Sequence, residues 1–140
     1  MRAGMVTASL IGALACSGCA GPSNPEAEQA AVEAALAWVA LVDDGKYATS
    51  WDQAAEYFRS AVRKEDWEQM IRAVRNPLGK NTSREVKVSR YKTALPGAPD
   101  GEYVVIQFSS SFENKKVAIE TVTPMLDKDG AWRTSGYNIN

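Results

Sequence analysis

Hydrophobic positions recur every three or four residues in the first half of the chain and alternate in the second. Val32, Leu36, Val39 and Val42 fall on one helical face, with Ala35 inside the stripe and Trp38 and Leu41 widening it. Ser23 or Asn24 can cap this helix, Pro25 suits its first turn, and Glu26 and Glu28 sit near the positive end of its dipole. Asp43-Asp44-Gly45 ends it. A second helix is predicted over 47–58, with Trp51, Ala54, Ala55 and Phe58 on one side. A third is predicted over 65–74, with Trp67, Met70, Ile71 and Val74 as its apolar side; Trp51 and Trp67 read as core. Asn76-Pro77-Leu78-Gly79 stops it, because proline cannot continue a helix and glycine readily turns the chain.

After Gly79 the period becomes two. Val86 and Val88 alternate with charged residues up to about Leu95, and the Pro- and Gly-rich stretch 96–101 reads as a hairpin loop. A strand is predicted over 103–112, with Val104, Ile106, Phe108 and Phe112 on one face; Glu113-Asn114-Lys115 turns it. Two more are predicted over 117–126 and 131–139, joined across Asp129-Gly130, a tight-turn signal. The fold class is therefore α+β: three N-terminal helices on one face of a curved, four-stranded antiparallel sheet. With Asp129 and Gly130 as turn residues, Leu126 faces Arg133, Val122 faces Tyr137 and Glu120 faces Ile139 on one side. Ile119, Met125 and Trp132 then fall on the other, and Pro124 suggests a bulge or edge. Large apolar groups on both faces predict a homodimer, or a docked envelope partner, through the sheet's outer face; the alternative is that curvature and long polar side chains cover that face.

Composition narrows the chemistry. At 45% hydrophobic and 24% charged, the 140-residue chain is an ordinary globular domain, expected over 26–140. The net charge of −1 and the lack of a basic patch argue against nucleic acid as a partner. There is no histidine, which removes the commonest general base, the imidazole metal ligands and any Ser-His or Cys-His nucleophile. No cofactor, metal or catalytic residue is predicted.

The only two cysteines lie in the run ACSGCAG. It follows Met1-Arg2 and an uncharged stretch from Ala3 to Ala15, the layout of a secretory signal over 1–18. A redox C-x-x-C would want a βαβ setting, and a zinc site two further Cys or His ligands that the chain lacks. Ser17-Gly18-Cys19 instead resembles the end of a bacterial lipoprotein box, although Cys16 stands where that box usually has Leu. The resemblance implies lipid attachment at Cys19, membrane anchoring, and a flexible tether over 19–25. An ordinary Ala-x-Ala cut is the alternative. With no Asp after Cys19, the expected place in a Gram-negative envelope is the periplasmic face of the outer membrane.

Few motifs carry further chemistry. Asp127-x-Asp129-Gly130 resembles a calcium-loop fragment without its later ligands and reads better as a turn. Asn81-Thr82-Ser83 matches a glycosylation sequon, of little meaning in a chain whose leader resembles that of a bacterial lipoprotein. Arg59, Arg63, Lys64, Arg72 and Arg75 read as a solvated helix face. Glu120 is a carboxylate in mid-strand, either paired, edge-exposed or a pocket acid; with Arg133 and Tyr137 it forms the candidate pocket.

The runs SWDQAAEYFRSAV, WEQMIRAVRNPLG, LPGAPDGEYVVIQFSSSF and ETVTPMLDKDGAWRTSGY together resemble the bacterial domain of unknown function 4019, over about 31–139. Asn138 departs from it, since an aromatic is expected there. The resemblance implies a cystatin-like or nuclear-transport-factor-like cone and carries no catalytic residues. A non-catalytic envelope module that binds a partner protein or small ligand is expected; the alternative is a small periplasmic enzyme using the cone as its pocket.

Overall fold

The computed structural model describes residues 23–140; the signal segment, Cys16, Cys19 and most of the tether lie outside the described residues. Four helices precede four strands: α1 Pro25–Asp43, α2 Tyr47–Asp52, α3 Glu56–Ala61, α4 Lys64–Arg75, then β1 Asn81–Lys92, β2 Tyr103–Phe112, β3 Lys115–Leu126 and β4 Trp132–Ile139. The sheet is antiparallel, in the order β1-β2-β3-β4. The α+β class is as read, with helices N-terminal to the sheet. α1 touches every strand, both edges included, so the sheet must curl around it.

Asn24 is the cap of α1: its Oδ1 accepts from the Ala27 N–H at 3.1 Å. The buried face runs Ala27, Ala31, Ala35, Trp38, Val39 and Val42, whereas Leu36 is 41% exposed. The burial stripe is thus rotated from the predicted one. Its three alanines let the helix axis lie close to the sheet, and that close fit outweighs the larger Leu36.

The predicted second helix is two helices. Between α2 and α3 the Ala55 N–H leaves the helical ladder and donates to the Thr134 carbonyl on β4 at 2.8 Å. Ala54 and Ala55 become completely buried, so a tertiary bond overrides local helix propensity. In α4, Trp67 and Ile71 are buried, but Met70 and Val74 stay 55% and 42% exposed. A 3₁₀ turn, Asn76–Leu78, ends it. Gly79 follows at φ +72, where a Cβ would stand 3.0 Å from that of Glu113, so both conformation and space require glycine.

The core lies between α1, α4 and the concave face: Trp38, Phe58, Trp67, Val104, Ile106, Phe108 and Val122 are its large members. Phe58 meets Trp67 edge-on at 5.0 Å, and Trp38 stacks at a tilt on Trp67 at 5.9 Å and on Tyr137 at 5.7 Å. Ser50 serves both buried indoles: its carbonyl accepts from Trp38 at 2.8 Å and its hydroxyl from Trp67 at 2.9 Å.

The β3–β4 pairing holds as read for Glu120 with Ile139 and Val122 with Tyr137, but not further along. A bulge at Thr123/Pro124 shifts the register by one residue, pairing Leu126 with Trp132 and Met125 with Arg133. A one-residue slip exchanges faces. Trp132 therefore packs against the core beside Trp38 rather than on the outer face. The connection is also longer than a two-residue turn: Asp127 N–H bonds the Ala131 carbonyl at 2.9 Å and closes a loop around Gly130. Ile119 and Met125 keep the outer face, half-buried among Thr121, Thr123, Gln107 and Ser109.

Candidate functional site

Of the candidate pocket, the structure brings Glu120 and Tyr137 together and leaves Arg133 elsewhere. Glu120 on β3 has no solvent exposure. Arg84 Nε and Ser110 Oγ donate to its Oε1 at 2.8 and 2.5 Å, and Arg84 Nη2 and Tyr137 Oη to its Oε2 at 3.2 and 2.5 Å. Four donors occupy both oxygens, which is the full hydrogen-bonding capacity of a carboxylate. Arg84 continues to Asp43, at the end of α1, with bonds of 2.7 and 3.0 Å, and Arg75, at the end of α4, adds another of 2.6 Å. Arg75, Asp43, Arg84 and Glu120 thus alternate in sign and sum to zero charge, joining two helices to two strands, β1 and β3.

Burial works to raise the Asp43 carboxyl, but the Arg84 and Arg75 hydrogen bonds outweigh it and hold the group below the ordinary range. For Arg84, burial opposes the charge and the bonds to Asp43 and Glu120 more than restore it. Tyr137 is pushed well above its usual range by burial first and then by the adjacent Glu120 charge. Its phenol is therefore a neutral donor at any ordinary pH. Arg75 is 5% exposed, lies 4.9 Å from the Phe112 ring, and keeps Nε and Nη1 without a partner among the described residues.

Arg133 instead clamps the β3–β4 loop, bonding Asp127 at 3.0 Å and Asp129 at 2.8 and 2.7 Å. Those bonds, together with the Ala131 N–H, pull Asp129 down to about 2. The former calcium-loop fragment is thus an arginine-closed turn, and among the described residues no group of three or more acidic or sulfur side chains could hold a metal. Of the basic run, Arg59, Arg63 and Lys64 are surface residues in local contacts and Arg72 lies over the Tyr47 ring. Arg75 departs from the solvated-face reading, because Asp43 draws it inward. Asn81 opens β1, its amide bonded to the Ser83 and Ser111 carbonyls.

Asp43, Arg75, Arg84 and Ser110 escaped the sequence reading. A signal existed for two of them. Arg84 shares the alternation phase of Val86, and Ser110 that of Ile106, Phe108 and Phe112. A polar residue in the apolar phase of each of β1, β2 and β3 marks a shared buried cluster. Asp43 and Arg75 are helix-end residues whose partners only the tertiary fold reveals.

An α+β protein whose helices fill a curled antiparallel meander, and whose buried charges are mutually neutralised, is the class these features define. The chain belongs to the family described as "Protein of unknown function (DUF4019)", which matches residues 34–137. No curated protein and no solved structure matches it.

Proposed function

We propose that this chain is a non-catalytic interaction module of the bacterial cell envelope, anchored through a lipid on Cys19. The observation that carries the non-catalytic half is the saturation of Glu120: a carboxylate at 0% exposure with four donors has neither access to a substrate nor a free lone pair for its proton. Trp38, Trp67 and Tyr137 pack on one another beside Glu120, with ring centroids 5.9 and 5.7 Å apart, and help to enclose it. The relation to cystatin-like and nuclear-transport-factor-like folds belongs to the same proposal. The anchoring half is supported by Ser17-Gly18-Cys19 after an uncharged stretch and by the short polar run before Pro25, which sets the first turn of α1 at the end of a tether.

The full chain, expressed in a Gram-negative host and labelled with a palmitate analogue, tests the anchor. Label is expected in the outer-membrane fraction, and Cys19→Ser should lose the label and leave that fraction. Equal labelling of the variant would refute lipidation at Cys19.

A further inference from the structure

The two edges of the sheet are protected unequally. β1 carries Arg84, Glu85, Lys87, Arg90 and Lys92 along its length, charges of the kind that discourage a foreign strand. β4 has no charge after Arg133. Its first half is covered, since the Thr134 carbonyl accepts from Ala55. Its last half is not. Asn140 and Ile119 exchange both backbone bonds at 3.0 Å. Hydrogen-bonded pairs alternate along an antiparallel ladder, so Asn138 also faces β3 while Tyr137 and Ile139 direct their N–H and C=O groups outward. No group among the described residues bonds them.

Beside this free edge, α4 leaves a groove of about 250 Å³ lined by Trp67, Met70, Ile71 and Val74 on the helix and by residues 137–139 of β4, of which Asn138 is polar. Met70 and Val74 are the exposed apolar residues of α4. The lining carries no formal charge, so a charged occupant would be desolvated without a partner. We propose that the groove takes an extended, uncharged segment of another envelope protein as a fifth strand on β4, with apolar residues at alternate positions under α4. This rests on the reading of the chain as an interaction module.

Other occupants fit worse. Glu28 meets the Tyr91 N–H at one end of β1 and Asp43 meets Arg84 at the other, so α1 runs the length of the sheet. Its 19 residues span about 28 Å. Ile139 pairs with Glu120, which binds Arg84, so the groove lies at the Asp43 end. Ser23, next to the Asn24 cap of α1, lies at the opposite end. If Cys19 is the mature N-terminus, four residues precede Ser23, about 14 Å even when fully extended, against the roughly 28 Å of α1 that separates Ser23 from the groove. A second copy offering its own β4 would bring its own α4 to the same side of the edge, where α1 and α4 already stand. A lone strand brings no helix.

The test uses the mature chain in detergent and blocked heptapeptides alternating Thr with Val, Ile or Tyr, followed by amide exchange. At least one peptide should bind at millimolar concentration or below and protect the Tyr137 and Ile139 amides. The same peptide N-methylated on the residues facing β4 should not bind. Met70→Glu, at an exposed site that leaves folding intact, should weaken binding about tenfold or more, because a carboxylate would be desolvated in the groove. No binding by any peptide, equal binding of the N-methylated form, or protection elsewhere would each overturn the proposal. So would protection of the two amides that grows with protein concentration alone, the mark of a second copy. Retained palmitate labelling at Cys19 alongside failed peptide binding removes the groove and leaves the anchored module standing.

Discussion

Glu120 shows what a single buried charge demands of its surroundings. Removing one partner of a buried ion pair strands the other, at a cost of about 3–5 kcal/mol. Glu120→Leu should fall near the lower end, about 3 kcal/mol, because Arg84 keeps Asp43. Combining it with Arg84→Met removes the stranded charge, so the double variant should be less destabilised than the sum of the single ones. Urea denaturation of the three variants checks this. Strict additivity would mean that Arg84 and Glu120 do not act as a pair.

Among the elements, α4 is attached by few residues. Trp67 lies against Phe58, Trp38 and Ser50, and Ile71 is the other buried apolar residue of the helix. Trp67→Ala should cost about 3–5 kcal/mol, the range for a large buried aromatic. A denaturation midpoint within error of the wild type would contradict that anchoring role. Met70 and Val74 read as core from their spacing, yet they line a surface groove. Helical periodicity reports one continuous stripe, whereas burial depends on where the neighbouring strand stops. β4 is the sheet's edge, and among the described residues nothing beyond it covers the outer part of that stripe.

For the whole molecule, the ion pairs make acid the sensitive direction. Asp43 and Asp129 both lie below the ordinary aspartate value of 3.8 when folded, Asp129 at about 2. Their contribution is complete above the unfolded value and is lost as pH falls from about 4 toward 2. The thermal midpoint should drop across that window, and Asp129→Asn should remove part of the drop. One molar salt should blunt the exposed Asp129 pair with Arg133 more than the enclosed Asp43 pairs. A midpoint insensitive to pH down to about 2 would show these pairs to be without effect on stability.

Order, type and approximate extent of the elements were legible in the sequence alone, because a helix buries every third or fourth residue and a strand every second. A cap at Ser23 or Asn24, the stop at Pro77-Leu78-Gly79, the whole of β2 and a bulge or edge at Pro124 all follow from local backbone chemistry; the structure chooses Asn24 and the bulge. What required the tertiary structure was each choice made between distant segments. The Ala55–Thr134 bond splits the second helix, and the bulge turns Trp132 inward and separates Arg133 from Glu120. Asp43 and Arg75 meet Arg84 only because two helix ends arrive beside β1. Glu120 was visible as an anomaly, but its partners come from β1, β2 and β4, 36, 10 and 17 residues away. Local periodicity turns Arg84 and Ser110 inward but does not say that they meet Glu120; the packing of α1 into the curled sheet decides that.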